Sequence, residues 1–174
     1  MTINKLQKGG LVARTAKVLR QVAKPVPLED IGTKKLGDII AAMKRAMHAE
    51  EDGVAIAAPQ IGESLRIFVV RGGILPKYPA DRVFINPEIT KASKKKHKVE
   101  EGCLSLRWFY GEVSRHEKVT LTALDEKGRV LTVGTSGLLA QIFQHEVDHL
   151  NGILFTDKAE NLRDVPPVQH EEEL

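Results

Sequence analysis

Two histidines near the C-terminal end of the sequence flank a glutamate, in the segment His145-Glu146-Val147-Asp148-His149. Residues four apart lie on the same face of an α-helix, so both imidazoles can bind one metal ion. Glu146 lies on nearly the same side and can take a proton from a metal-activated water molecule. This spacing also occurs on ordinary helices, but here the surrounding residues are apolar, namely Leu138, Leu139, Ile142, Phe143, Val147 and Leu150. Because burying polar groups without partners is costly, we interpret the two histidines as ligands of a metal ion that has at least one further ligand elsewhere in the chain.

The only cysteine, Cys103, lies in the segment Glu101-Gly102-Cys103-Leu104-Ser105. A lone cysteine is usually a small buried apolar residue and only sometimes a ligand or nucleophile. This one has a glycine before it, and Arg107 and Trp108 follow it closely, which is unlike the middle of a core strand. The chain after His149 lacks the extended zinc-protease pattern that would supply another ligand. Cys103 and the two histidines would make three ligands and leave an open position for water, as catalytic sites require.

Three separated segments resemble the motifs of peptide deformylases, which remove the formyl group from the N-terminal methionine of new bacterial and organellar proteins. Residues 53–62, with the sequence GVAIAAPQIG, are similar to the glycine-rich first motif of that family. Residues 101–105 (EGCLS) match the second motif, and residues 144–152 (QHEVDHLNG) match the third. The order and intervals also fit, and the resemblance extends from about Val18 to Phe155.

The resemblance implies that Cys103, His145 and His149 bind one divalent metal ion per chain. A Cys/His/His ligand set suits both Zn(II) and Fe(II). The family favours Fe(II), with Zn(II), Ni(II) or Co(II) able to substitute. The sequence alone does not decide which ion is native.

The resemblance also implies a general acid/base and two hydrogen-bond donors for the reaction. Glu146 is the expected general acid/base. The side-chain amide of Gln60 and the backbone N–H of Leu104 are expected to face the oxyanion that forms when water attacks the formyl carbon. Formamide hydrolysis needs this combination of an activated water, oxyanion donors and a proton for the departing amine. The alternative for Gln60 is an ordinary turn residue after Pro59.

By the same resemblance, the substrate methionine enters an apolar pocket beside the metal. Gln141 lies one helical turn before His145 and would make this pocket more polar than usual. Ala55 replaces the second glycine of the first motif, and Arg107 stands where the family usually has a proline. These departures affect the expected substrate fit and rate rather than the type of reaction. The residues expected to contact the substrate are Val54, Ala55, Leu138, Gln141 and Ile142.

The sequence predicts a metal-dependent hydrolase that releases formate from N-formyl-methionyl nascent peptides, and two other functions remain open. One alternative is a catalytically weak or non-enzymatic deformylase-like protein, which the departures at Ala55 and Arg107 would favour. The other is a zinc endopeptidase with the same helix motif. Release of formate, cleavage of a long peptide, or neither would separate the three.

Composition predicts a cytoplasmic protein with no membrane span. No apolar run approaches the roughly 20 residues of a transmembrane helix, and the first residues lack the apolar core of a secretory signal. A thiolate ligand also favours a reducing compartment. The net charge is only +3, so we expect no specific DNA binding.

One basic segment stands out between two predicted strands, and we expect it to be a solvent-facing hairpin tip. The alternative function is a transient contact with ribosomal RNA. Its members are Lys91, Lys94, Lys95, Lys96, His97 and Lys98. The proline-containing acidic end of the chain, residues 165–174, predicts a disordered tail, which leaves residues 1–164 as a single catalytic domain.

Hydrophobic periodicity predicts an α+β fold in which short antiparallel strands pack around a buried C-terminal helix that carries the metal motif. Residues 33–50 have helical spacing, and residues 137–151 form the motif helix, with Gly152 at its end. Strands are predicted at 65–70, at 82–86 before Pro87, at 118–124 and at 129–133, the last two joined by a turn.

Overall fold

The computed structural model describes residues 10–74 and 77–166 of the chain. Two α-helices occur in these residues, α1 (Lys34–His48) and α2 (Gly137–Leu150). The strands are β1 (Ala55–Ala57), β2 (Ile67–Val70), β3 (Arg82–Ala92), β4 (Lys96–Gly102), β5 (Phe109–His116), β6 (Lys118–Leu124), β7 (Val130–Ser136) and β8 (Glu160–Asp164).

The strands form two antiparallel sheets. The larger sheet has five strands in the order β1-β2-β3-β6-β7, and the smaller has three in the order β4-β5-β8. Helix α2 packs against strands of both sheets, so it lies at the centre of the molecule. The predicted α+β class, with antiparallel strands around a buried C-terminal helix, is therefore confirmed.

Thr33 caps the N-terminal end of helix α1, and its side-chain oxygen accepts a hydrogen bond from the Leu36 backbone N–H at 3.3 Å. This N-cap satisfies one of the free donors of the first turn. The apolar residues at helical spacing, including Ile40 and Met43, are buried in a core cluster with Ile56 of β1. The helix agrees closely with the one predicted over residues 33–50.

Helix α2 is held against the large sheet by aromatic packing. Phe68 and Phe84 stack on neighbouring strands with centroids 4.7 Å apart, and Phe143 of α2 contacts Phe84 edge-on at 5.1 Å. The helix is followed by Gly152, which has φ 72°, and a Cβ there would lie 2.7 Å from the Arg20 carbonyl oxygen. Both the torsion and the close approach require glycine.

Two predictions about the strands were wrong. Strand β3 was expected to stop at Pro87, but it continues to Ala92. The pairing with β6 shifts register between Ile85 and Glu88, and Asn86 adopts a positive φ of 50°. A bulge leaves a backbone N–H outside the ladder, so the proline, which has none, is tolerated there.

The second error concerns the connection after β3. The basic segment was expected to form a hairpin tip, but β3 and β4 belong to different sheets. Lys94 and Lys95 therefore lie in the connection between the two sheets. Lys91 lies in β3, and Lys96 and Lys98 lie in β4. The glycine-rich segment, residues 53–62, contains β1 and the 3-10 helix Ala58–Ile61.

Near its C-terminal end, the described chain leaves β8 at Asp164, and the Val165 N–H donates to the Trp108 carbonyl oxygen at 3.0 Å. Most of the predicted tail, residues 167–174, lies outside the described residues, so the division of the chain at residue 164 stays a prediction. In the described ranges, neither helix has the length and apolar character needed to cross a membrane.

Candidate metal centre

The structure brings together the three residues that the sequence suggested as ligands. Cys103 directly follows β4 of the small sheet, and His145 and His149 lie one turn apart on α2. One ligand atom from each residue lies within 4.8 Å of the others. The Cys103 Sγ is 3.3 Å from His149 Nε2. His149 is buried, while Cys103 and His145 are half-buried, so the cluster lies inside the protein with one accessible side.

A buried network of charged groups positions His145 from behind. Glu101 Oε2 lies 2.9 Å from His145 Nδ1. Arg115 of β5 donates from Nε and Nη2 to the two oxygens of Glu101, at 2.6 and 2.8 Å. Its Nη1 donates to Asp148 Oδ2 at 2.6 Å, and Lys158 Nζ also donates to Asp148. Partners of this kind fix the ring orientation of a metal-binding histidine.

Sequence reasoning missed the role of Arg115. In the stretch Phe109–His116, alternate residues Gly111, Val113 and Arg115 are buried. A charged residue on the same strand face as buried apolar residues is itself buried, so it needs an oppositely charged or hydrogen-bonding partner. That alternation was present in the sequence and could have indicated a buried ion pair.

The electrostatics of the site favour a thiolate at Cys103. Burial opposes ionisation of the thiol, but His149 and His145 outweigh it and lower the pKa of Cys103 to about 5. Burial likewise opposes ionisation of Glu101, yet hydrogen bonds from Arg115 and His145 lower its pKa to about 2. Both groups are therefore anionic at neutral pH, and an anionic sulfur is the form that binds metal.

Burial has the opposite result at Glu146. The side chain is only 4% exposed, and burial raises the pKa of its carboxyl group above the usual value. A raised pKa lets a carboxylate both accept and return a proton near neutral pH. The arrangement is therefore suited to proton transfer.

Gln60 is buried beside the cluster with its amide held in one orientation. Its Oε1 accepts a hydrogen bond from the Ala57 backbone N–H at 2.8 Å. Its Nε2 therefore faces the other way, towards Ser105 Oγ at 3.1 Å and Cys103 Sγ at 3.6 Å. Fixing the oxygen in this way aims the N–H donors at the metal cluster.

A cavity of about 270 Å³ opens beside these groups. It is lined by Gln60, Cys103, Leu104, His145 and Glu146, and by all of the expected substrate-contacting residues, Val54, Ala55, Leu138, Gln141 and Ile142. His149, the fully buried member of the cluster, does not line the cavity.

The structure adds detail at two of these lining residues. Gln141 Nε2 donates to the Glu100 carbonyl oxygen at 2.8 Å, so its amide ties α2 to β4. Ala55 lies in the extended strand β1, paired with Val70, and positive φ in the described part of the chain occurs outside glycine only at Asn86 and Asn161. Alanine at position 55 therefore needs no unusual torsion.

The donor set and its surroundings fit a divalent metal ion. The thiolate and two imidazoles supply three ligand atoms at one point. Among the described residues, the buried side-chain atoms with no hydrogen-bond partner are Glu146 Oε2 and His149 Nδ1. Burying a carboxylate oxygen without a hydrogen-bond partner costs free energy. A metal ion and its water, bound beside Glu146, would give that oxygen a partner.

Comparison with known proteins gives consistent relatives. The profile of the family described as polypeptide deformylase matches residues 10–165. A peptide deformylase from Symbiobacterium thermophilum is 45% identical over 165 residues, which cover 94% of this chain and 72% of that protein. Another from Mesorhizobium japonicum is 42% identical over 84% of this chain and 81% of that protein.

Solved structures agree with these relatives. The actinonin-bound class I type b peptide deformylase from Acinetobacter baumannii has a TM-score of 0.78 at 36% identity, over 86% of this chain and 97% of that chain. The actinonin complex of a Synechococcus elongatus peptide deformylase has a TM-score of 0.77, over 92% and 82%. The chain therefore belongs to the peptide deformylase family, the metal-dependent hydrolases that remove the N-formyl group from nascent polypeptides.

Proposed function

We propose that this chain deformylates N-formyl-methionyl peptides at a single divalent metal ion held by Cys103, His145 and His149. The observation that supports this most is the convergence of one sulfur and two nitrogen atoms within 4.8 Å, the sulfur from the end of β4 and both nitrogens from α2. Glu146 and Gln60 line the same cavity as Cys103. A divalent cation held there supplies Lewis-acid activation of the attacking water.

Fe(II) is the proposed native ion, with Zn(II), Ni(II) or Co(II) as substitutes. A mixed set of thiolate and imidazole ligands binds each of these ions. The ligand types therefore do not select the native ion, which has to be identified from metal content and activity. Metal analysis of anaerobically purified protein, followed by turnover measurements after reconstitution with each ion, tests this. We expect Fe(II) to give the highest turnover, and a higher turnover with Zn(II) would contradict the assignment.

Glu146 is the proposed general acid/base. It would accept a proton from the attacking water and return it to the nitrogen of the departing amine, so formate and a free N-terminal amine leave. The raised pKa and the unpartnered Oε2 of Glu146 support both transfers.

Gln60 and Leu104 are the proposed oxyanion donors. The Gln60 amide is turned towards Cys103 by its bond from Ala57, and Leu104 begins the short 3-10 helix Leu104–Leu106 immediately after the ligand. A preorganised donor needs no reorientation when the carbonyl oxygen becomes negative, and one such donor is typically worth about 3–4 kcal/mol.

The proposed site for the methionine side chain lies between β1 and α2. Val54 and Ala55 would form one wall, and Leu138 and Ile142 the other. An apolar wall favours an unbranched apolar side chain, although one methylene is worth only about 1–3 kcal/mol. Gln141, held by the Glu100 carbonyl, would add a polar edge.

The proposed substrates come from ribosomes, so a transient ribosome contact in the cytoplasm is the proposed setting, with no role for membranes or specific DNA sequences. Four residues of the basic segment support an RNA contact, because they are exposed and make no side-chain ion pair within the described chain: Lys91, Lys94, Lys96 and His97. Co-sedimentation with ribosomes should weaken when Lys94 and Lys96 are both replaced by glutamine, and should fall with rising salt.

A formate-release assay with formyl-Met-Ala-Ser tests the proposed roles. Glu146→Ala should retain the metal and lose about 10²–10⁴-fold in turnover. Glu126→Ala, at an exposed residue that does not line the cavity, serves as the control and should match the parent. Near-normal turnover of metal-loaded Glu146→Ala would overturn the assignment. Cleavage of a long unformylated peptide would instead indicate an endopeptidase.

A further inference from the structure

Arg107, which stands where the family usually has a proline, makes several ion pairs beside the cavity. Its Nη1 and Nη2 donate to the two oxygens of Asp52, at 2.5 and 2.8 Å, and Nη2 also donates to Glu50 Oε2 at 2.8 Å. The guanidinium carbon lies 4.8 Å from the centroid of the Trp108 ring. One arginine thus binds two carboxylates at its edge and an aromatic ring at its face.

The acidic partners belong to a segment that is fixed to the protein from inside. Arg71 Nη1 donates to the backbone oxygens of Glu50, Glu51 and Gly53 at 3.2 to 3.4 Å. A Cβ on Gly53 would lie 2.1 Å from the Met47 carbonyl oxygen, so the segment packs directly against the end of α1. The segment 50–53 is therefore held in place by contacts other than the ion pairs of Arg107, and it gives Arg107 a fixed partner.

Arg107 lines the cavity from a different part of the chain. It follows the 3-10 helix Leu104–Leu106, which itself follows Cys103. The anchored segment leads directly into Val54 and Ala55, which line the same cavity. The ion pairs therefore join two walls that come from distant parts of the chain and that both line the cavity.

The pairs are sheltered more than ordinary surface ion pairs. The Arg107 and Glu50 side chains are 20% and 24% exposed, while Asp52 is 58% exposed. Exposed single pairs usually contribute little, whereas bidentate geometry in a network of several charges is the recognised exception. The Arg107 hydrogen bond also lowers the pKa of Asp52, so this carboxylate stays charged to a more acidic pH than an ordinary aspartate.

We propose that Arg107 is a positioning residue that ties the Leu104–Trp108 wall to Glu50 and Asp52, and thereby sets the width of the peptide-binding cavity. It touches no reacting atom. Its role is to keep the two walls at the separation that a bound peptide needs, so its loss should weaken peptide binding and leave the metal and proton-transfer groups in place. The inference rests on the proposed peptide site.

The test compares Arg107→Gln, Arg107→Lys and Asp52→Asn with the parent holoenzyme. For formyl-Met-Ala-Ser, Arg107→Gln should raise KM about three- to tenfold, with kcat and metal content unchanged. Arg107→Lys should recover part of the loss, because it keeps the charge but cannot bind two carboxylates as a fork. Arg129→Gln removes an exposed ion pair with Asp125 elsewhere and should leave KM unchanged.

Two further measurements separate positioning from a general loss of structure. Arg107→Gln and Asp52→Asn should be non-additive in KM, because both break the same link. Because Asp52 is 58% exposed, raising the salt concentration should increase KM of the parent slightly, and this increase should be absent in Arg107→Gln. Additive effects, a KM within twofold of the parent, or loss of metal from Arg107→Gln would each overturn the proposal.

Binding of the product-like tripeptide Met-Ala-Ser to the metal-loaded protein gives a readout without turnover. Its Kd should rise in Arg107→Gln by the same factor as KM, and an unchanged Kd would overturn the positioning role. A parent enzyme that binds the tripeptide but releases no formate would instead count against the proposed catalytic roles. The two failures are therefore distinguishable.

Discussion

Replacing Glu101 by glutamine should destabilise the protein and weaken its metal site at the same time. Glu101 accepts three hydrogen bonds, two from Arg115 and one from the Nδ1 side of His145. A glutamine has one oxygen and one NH₂ group in place of two oxygens. In either orientation its NH₂ group faces a donor, so at least one buried N–H loses its acceptor.

The size of the effect can be worked out in two independent ways. Breaking one side of a buried ion pair typically costs about 3–5 kcal/mol. The pKa of Glu101 is about 2 in the folded protein against 4.5 for the ordinary side chain, a difference that corresponds to about 3 kcal/mol. Since domains of this size are stable by about 5–15 kcal/mol, either value is a large fraction of the total.

The same shift predicts how stability changes with pH. Between pH 4.5 and about 2 the unfolded chain holds the Glu101 proton and the folded protein does not. The stabilising contribution is therefore complete above pH 4.5 and is lost as the pH falls through that window. Glu101→Gln has no such proton, so this part of the acid destabilisation should disappear.

Urea unfolding of metal-free protein, followed by far-UV circular dichroism at pH 7 and at steps down to pH 2.5, measures both effects. Metal affinity, by competition with a chelator, should fall about 10- to 100-fold. Glu160→Gln breaks an exposed pair with Lys98 and should stay within about 0.5 kcal/mol of the parent. If Glu101→Gln unfolds with a free energy within about 1 kcal/mol of the parent at pH 7, and still loses stability with falling pH as the parent does, then Glu101 does not have the stabilising role described above.

Three other substitutions test separate parts of the site. Cys103→Ala should lose the metal and some stability, and full metal occupancy in the purified variant would remove Cys103 from the ligand set. Gln60→Ala should keep the metal and lose about 10²–10³-fold in kcat; a kcat within threefold of the parent would exclude Gln60 as an oxyanion donor. Ala55→Gly should widen the cavity and raise kcat/KM for formyl-Met peptides, while freeing the backbone at a cost of about 0.4–1 kcal/mol. A fall in kcat/KM at unchanged metal content would show instead that the alanine helps to hold Gln60 in place.

Much of the fold was predictable where the signal is local. The helices α1 and α2 each repeat apolar residues at helical spacing, and their ends agree with the prediction within two residues. The pair β6 and β7 alternates and encloses a turn, so it was predicted as a hairpin. In these elements, the residues of the buried face recur at a regular spacing within a short stretch of sequence, so the element can be predicted locally.

Two strands of the small sheet, β4 and β8, were not predictable in this way. Five of the seven residues of β4 and all five residues of β8 are exposed. These strands form because β5 offers hydrogen-bonding partners on both edges, and such pairing leaves no periodic pattern of buried residues. The strand β1 has only three residues, too few for an alternation to be recognised.

The ligands were predictable from motif residues, but the groups that position them come from the small sheet. Arg115 reaches Glu101 on β4 and Asp148 on α2 together. With Lys158 on Asp148, the network holds two cations and two carboxylates, so its formal charges cancel. A buried network of balanced charge avoids the penalty of an unpaired ion and fixes the approach of α2 to the strand that precedes Cys103.

The balance of charge also explains which nitrogen of His145 faces the metal cluster. Because Arg115 lowers the pKa of Glu101 to about 2, this carboxylate is a weak base and leaves the shared proton on His145 Nδ1. Burial opposes a charge on the His145 ring, but Cys103 and Glu101 outweigh it and raise the pKa of His145 well above its usual value. Without an ion, Nε2 therefore also carries a proton at neutral pH, and a metal ion that binds Nε2 would displace that proton and leave the Nδ1 proton hydrogen-bonded to Glu101. The ring already has the orientation that binding needs. An arginine that belongs to none of the three motifs, on a strand of the small sheet, therefore orients a ligand on α2 through Glu101.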